Sequence, residues 1–338
     1  MSFLLNRDTT STLELDAFDT WPKAKHRFEE KSCWAVLMAL KTGRPLLLRG
    51  EPGIGKSQLA RAVAQDFGVP FLYHVVDERT ERDDLFYRYD AVARLAQAQL
   101  AALMPKAETK WEDLVAETRF IQPGVMWWAF NWTDAQKQST KNYREIPTPY
   151  APPGWVEVGK VEGKDSPPCG PVVLIDEIDK ADLSVPNGLL ECLGNRGFQT
   201  SQLEKAVHLP DGAKAPLVII TTNEERELPA AFLRRCLVLH MTFPPAGKTV
   251  EEFLIERARV RYTKDQIQDD ILRAIVASVI HDRQDAIRFG SSKPCAAEFL
   301  DIVEALFGIC GSDHDKQEKT FPDIKDFALK KNISHAGL

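Results

Sequence analysis

The chain has 338 residues, with 44% hydrophobic and 27% charged residues and a formal charge of −6. That is an ordinary globular composition, with room for one large domain and a smaller one. The acidic balance, with acids and bases interspersed, argues against a nucleic-acid-binding surface over the whole molecule, though a local basic patch stays open. No apolar run approaches the length of a membrane span. The first residues, Met1 to Asp8, are too short and too lightly charged for a signal peptide. Cys33, Cys169, Cys192, Cys236, Cys295 and Cys310 form no C-x-x-C pair, which reads as buried reduced thiols in a cytoplasmic protein.

Residues 1–20 read as a loose polar lead-in. From Trp21 to Thr42 the apolar spacing suits an amphipathic helix ended by Gly43. Pro45-Leu46-Leu47-Leu48 then reads as a buried strand. It leads into Gly50-Glu51-Pro52-Gly53-Ile54-Gly55-Lys56-Ser57, followed by the helical pattern from Gln58 to Ala64. Strand, glycine-rich loop and helix fit G-x-x-x-x-G-K-[ST], the Walker A phosphate loop. Glycines let successive backbone N–H groups turn toward phosphate oxygens. The helix adds unsatisfied N–H groups and the positive end of its dipole. Lys56 can reach the β- and γ-phosphates, and the Ser57 hydroxyl can ligate Mg²⁺.

Phe71 to Val76 predicts a second buried strand, and Ala91 to Met104 a helix. Residues 105–170 are the least regular, and they hold Trp111, Trp127, Trp128, Trp132 and Trp155. Those tryptophans read as local core, with an exposed contact surface as the alternative. Val172 to Ile175 is a third strand running into Asp176-Glu177, and residues 197–215 suggest a hairpin. Leu217 to Asn223 is a fourth strand with a polar end. A short helix after Pro229 ends at Arg234-Arg235, and Cys236 to Met241 is a fifth strand. Beyond Pro244-Pro245 the pattern turns helical at Val250–Arg261, Asp265–His281 and Ala296–Phe307, which places a domain boundary near 245. The expected organisation is a lead-in over 1–20, a nucleotide-binding domain over 21–245, a helical lid over 246–310 and a polar tail over 311–338.

In a parallel α/β sheet, ligands bind at the carboxyl ends of strands. Asp176 there suits Mg²⁺, directly or through water. Glu177 suits the orientation and polarisation of a water that attacks the γ-phosphorus. An acidic helix start is the plainer alternative for this pair. Asn223 could hydrogen-bond that water or the γ-phosphate, against a turn-forming role. Arg234 and Arg235 could be offered to a neighbouring subunit's γ-phosphate, against a solvated or salt-bridged pair.

Taken together the chain resembles the AAA+ ATPases, and within them the MoxR-like branch. The resemblance rests on Gly50–Ser57 as Walker A, Val172–Glu177 as Walker B, Asn223 as sensor 1, and Leu228-Pro-Ala-Ala-Phe-Leu-Arg-Arg as the arginine-finger segment. GTPases would carry D-x-x-G and N-K-x-D elements, which are missing. The resemblance implies an α/β P-loop NTPase fold, with a five-stranded parallel sheet in the order 5-1-4-3-2 and a helical lid. It also implies a ring, usually a hexamer, with ATP and Mg²⁺ at subunit interfaces. ATP would be held by Glu51, Pro52, Gly53, Ile54, Gly55, Lys56, Ser57 and Gln58, and Mg²⁺ by Ser57 and Asp176. Glu177, Asn223 and Arg235, or Arg234 in its place, would be catalytic.

Two departures stand out. Gln122-Pro123-Gly124 resembles the family segment that shortly precedes Walker B, yet residues 131–170 intervene as a Trp/Pro-rich insertion. The sensor-2 segment normally carries an Arg beside its Pro; here Lys293 precedes Pro294, and Arg288 is a second candidate. The expected function is Mg²⁺-dependent ATP hydrolysis by a ring that remodels a protein partner, with no membrane and no nucleic acid involved. A nucleic-acid motor and an ATP-dependent assembly switch with slow hydrolysis are the alternatives.

Overall fold

Runs of β-branched and leucine residues bounded by breakers form five strands: β1 (Leu46–Arg49), β2 (Phe71–Val75), β3 (Val172–Asp176), β4 (Leu217–Thr222) and β5 (Leu237–His240). They make one parallel sheet in the order β5-β1-β4-β3-β2. Val172 is in register with Phe71 on one side and Leu217 on the other. Leu46, Leu47, Leu48 and Val172 through Ile175 are fully buried. That suits a sheet covered on both faces, whose strands read as continuous apolar runs. Burying each such leucine stabilises the fold by about 1.5–3 kcal/mol.

A computed structural model describes residues 2–102, 111–157, 167–200, 202–203 and 205–329. The chain forms two compact units. The first comprises Met1–Asp8, Glu29–Leu48 and Ala60–Leu239. Besides the sheet it holds the helices α1 (Glu30–Thr42), α3 (Ala91–Ala102), α4 (Val125–Phe130), α5 (Trp132–Lys141), α6 (Ser184–Asn195) and α7 (Ala230–Arg235). Helix α2 (Lys56–Phe67) begins in the second unit and ends in the first. The second unit comprises Thr9–Phe28, Arg49–Leu59 and His240–Leu338. It carries α8 (Val250–Arg261), α9 (Asp269–Phe289), α10 (Ala296–Cys310) and α11 (His314–Leu329).

Several elements differ from the sequence reading. The helix expected from Trp21 starts at Glu30. Ala24–His26 is instead a strand, antiparallel to Leu13–Leu15, inside the stretch read as a lead-in. Leu4 and Leu15 are buried. Helix α9 runs to Phe289, eight residues past the expected His281, and stops at Gly290 with φ +64°. The stretch from 314 to 329, read as polar tail, is helix α11. It packs against α10 through Phe321, Ile324, Ala328 and Leu329, and Gln317 is fully buried. Residues 330–338 of that tail, and 158–166 of the insertion, lie outside the described residues.

Trp127, Trp128 and Trp132 lie in the core of the first unit, and Trp155 packs against it. Trp127 is 1% exposed and donates to Asp134 at 2.9 Å. Trp132 makes edge contacts with Trp128 and Trp155 at 5.0 and 4.9 Å. Glu157 accepts from the backbone N–H groups of Trp132 and Thr133, which ties the segment around residue 157 back to the start of α5. The expected hairpin is present as Gly197–Phe198 paired with Val207–His208. All six cysteines are free and buried. Burial pushes the Cys33 thiol up to about 11 and those of Cys169 and Cys236 to about 12, so these three are not poised as nucleophiles.

Candidate active site

The chain passes from the carboxyl end of β1 into the phosphate loop. Gly50, Gly53 and Gly55 have φ values of +148°, +75° and +103°, which L side chains rarely adopt. At Gly50 a Cβ would lie 2.3 Å from the Met241 carbonyl oxygen; at Gly53 it would lie 2.9 Å from Ala297 Cβ. The loop is therefore held by close approach to the segments after β5 and at the start of α10. Cys295 adds an S–H donated to the Pro52 carbonyl at 2.9 Å. Ile54 is buried, while Pro52 and Gly53 are exposed and Gly55, Ser57 and Gln58 half-buried.

Lys56 opens α2 and is 6% exposed. Its ammonium donates to the carbonyls of Gly50 (2.7 Å) and Glu51 (2.9 Å), inside the loop. The Glu51 carboxylate accepts from Arg283 Nη2 at 2.5 Å and faces Lys293 Nζ at 3.4 Å. Arg283 also donates to the Pro294 carbonyl at 3.0 Å and stacks over Phe243 at 4.5 Å from the ring centre. The sequence reading missed Arg283. It lies on the part of α9 beyond the expected end, where the run Asp282-Arg283-Gln284-Asp285 hides the helical period. Lys293 is where that reading expected a cation. Arg288, the other candidate, is exposed in the last turn of α9, and the arginine that reaches the loop is Arg283.

In the first unit, the carboxyl ends of β3 and β4 carry the acidic pair and Asn223. Thr221 ties them together: its hydroxyl donates to Asp176 Oδ1 and accepts from the Glu177 N–H at 2.9 Å. Glu177 is left-handed, with φ +59° and ψ +47°. This conformation costs a non-glycine residue about 1 kcal/mol or more, and the Thr221 bond helps hold it. Both oxygens of the Glu177 side chain are engaged. Asn223 Nδ2 donates to Oε1 at 3.0 Å and Lys180 Nζ to Oε2 at 2.6 Å. The hydrogen bond to Glu177 raises the Lys180 pKa, and the neighbouring carboxylates add to this, so Lys180 stays an ammonium. Asp179, 2% exposed, accepts from the Glu225 N–H at 2.9 Å and anchors the loop after Asn223.

Thr221 and Lys180 were not singled out from sequence. The polar end of an otherwise apolar strand was the available signal for Thr221; Lys180 is three residues past Glu177, one turn along. Arg234 and Arg235 have exposed side chains at the end of α7, with no ion pair among the described residues. Chemically, the strand ends present a carboxylate held in one orientation by an amide and an ammonium. The loop presents curled backbone, a helix start and cations, a cradle for polyphosphate. The Ser57 hydroxyl and the Asp176 carboxylate are hard oxygen donors of the kind Mg²⁺ takes.

A profile of the AAA domain, dynein-related subfamily, matches residues 45–236. No curated protein matches the sequence. Among solved structures, a Pro-to-Gly variant of Thermotoga maritima RuvB is 14% identical. The alignment covers 90% of this chain and 71% of that one, with a TM-score of 0.43. A Thr-to-Val variant of the same protein is 14% identical over 87% and 67% of the two chains, with a TM-score of 0.40. A Cytophaga hutchinsonii ATCC 33406 structure assigned as an ATPase is 13% identical over 88% of each chain, with a TM-score of 0.32. Among the described residues no helix is long and apolar enough to cross a membrane.

Proposed function

The chain belongs to the AAA domain family, in its dynein-related subfamily, and from that premise we propose a ring-forming, Mg²⁺-dependent ATPase of the MoxR-like kind that remodels a protein partner in the cytoplasm. The observation that carries the hydrolytic reading is the held carboxylate of Glu177, with Asn223 on one oxygen and Lys180 on the other.

Phosphoryl transfer asks for positioning and charge stabilisation more than for covalent chemistry. Glu51 to Gln58 form the cradle. Lys56 exchanges its loop carbonyls for phosphate oxygens, and Arg283 and Lys293 bring further positive charge to the same loop through Glu51. Ser57 and Asp176 are the residues that would hold Mg²⁺, which would supply charge neutralisation when bound. Glu177 orients the attacking water and draws on its proton, while Asn223 fixes the carboxylate's orientation. Lys180 holds the second carboxylate oxygen in place. Arg235, with Arg234 beside it, is offered to the γ-phosphate held by a neighbouring copy, where it meets the charge that builds up in the transition state.

The ring is tested by sedimentation of the Glu177→Gln protein with Mg²⁺ and ATP. A single closed oligomer, six subunits by the family resemblance, is the expected result. A monomer at all protein concentrations would overturn the shared site.

A further inference from the structure

Arg44 lies between α1 and β1, directly after Gly43, whose left-handed backbone ends the helix. Its half-buried guanidinium reaches the far end of α7. Nη2 donates to the carbonyl oxygens of Arg234 (2.5 Å) and Cys236 (2.8 Å), and Nε to that of Arg235 (3.2 Å). The last carbonyls of a helix have no partner within it and carry the negative end of its dipole. A planar guanidinium fork satisfies several of them together, which an ammonium cannot do with the same geometry. The next residue continues the seam, since the Pro45 carbonyl accepts from the Leu237 N–H at 2.9 Å.

Helix α7 is six residues long, far below the length at which a helix holds itself in water. Its Phe232 is fully buried, which anchors one face. The turn that bears Arg234 and Arg235 is fixed by Arg44 and by the start of β5, while the two arginine side chains remain exposed. A side chain meant for another molecule gains from a rigid base, because less freedom is then lost when it engages.

We propose that Arg44 is a positioning residue, fixing the backbone from which Arg234 and Arg235 are offered to a nucleotide held by a second copy of the chain. The inference rests on the shared-site reading above and goes beyond it by naming the device that aims the arginine. Arg44 touches neither substrate nor metal in this account, so its loss acts at the neighbour's site and leaves its own subunit's nucleotide binding intact.

The test is ATP turnover by Arg44→Ala, alone and mixed with Glu177→Gln subunits, with Arg235→Ala treated in the same way. Alone, Arg44→Ala is expected to lose roughly ten- to a hundred-fold in turnover, with unchanged nucleotide affinity. Arg44→Lys should recover part of that loss. In the mixture, Glu177→Gln subunits supply an intact arginine next to the intact site of an Arg44→Ala subunit. Turnover should then exceed the average of the two proteins measured apart. A folding defect confined to the Arg44→Ala subunit would give no such gain. Wild-type turnover by Arg44→Ala alone overturns the proposal. So does a gain for the Arg235→Ala mixture with none for Arg44→Ala, which leaves the shared site standing. No gain in either mixture overturns the shared site and the Arg44 role together.

Discussion

The phosphate loop and the end of α7 both carry cations suited to a nucleotide, and they handle them in opposite ways. Around the loop, Lys56 is bonded to loop carbonyls, and Arg283 and Lys293 are set against Glu51. At α7 the guanidinium groups of Arg234 and Arg235 are exposed, and it is the backbone beneath them that a third arginine holds. Charges bonded to their own loop are kept for a ligand bound within the chain and already have a partner to exchange. Charges held out on a clamped turn suit a ligand that arrives on another molecule.

The sharpest way to break this contrast is to disturb the loop's close packing. Gly50→Ala combines a positive φ with a Cβ 2.3 Å from a backbone carbonyl, and should cost about 3 kcal/mol of stability along with nucleotide binding. Gly55→Ala, with nothing within 4 Å of its Cβ, should cost about 1 kcal/mol from backbone strain alone. Equal losses in thermal unfolding would mean that packing against Met241 does not set the loop.

The unit that holds the loop should also be sensitive to acid. His26 is buried, with no hydrogen-bond partner for Nε2 among the described residues. Burial, helped by Arg257, lowers its pKa from 6.5 to about 3. The unfolded chain therefore binds the proton more readily than the folded one. Stability is fully present above pH 6.5 and falls as the pH drops from there toward 3, by about 2 kcal/mol at pH 5. His26→Gln should flatten this part of the unfolding profile. An unchanged slope between pH 6.5 and 5 would reject the assignment.

A smaller effect separates the two cations set against Glu51. Arg283→Ala removes a close, largely buried partner of Glu51 and should weaken nucleotide binding by about 1–2 kcal/mol. Lys293→Ala, at 3.4 Å and 43% exposed, should cost no more than about 0.5 kcal/mol. A larger loss at Lys293, measured by nucleotide titration, would mean that motif position outranks the observed geometry.

The sheet was legible because buried parallel strands are written as unbroken apolar runs, and the loop because glycine, lysine and serine at fixed spacing have few other uses. The acidic pair and Asn223 were legible as polar residues at the ends of such runs. What escaped was carried by polar side chains acting across the fold. Arg283 lies in a charged stretch that masks the last turns of α9. Nothing local to Arg44 shows that it reaches residues 190 to 192 positions away. Helix α11 escaped because charges outnumber its apolar residues, although Gln317, Phe321, Ile324 and Ala328 recur at helical spacing along its packed face. The Trp-rich stretch could be core or contact surface from composition alone, and the buried Trp127 and Trp132 decide for core.

The central claim is that Glu177, held by Asn223 and Lys180, drives hydrolysis on a phosphate loop that binds independently of it. The direct measurement pairs ATP turnover with nucleotide affinity for the wild type and Glu177→Gln. Turnover should fall by roughly a hundred-fold or more with affinity retained. Equal turnover in the two proteins would contradict the account.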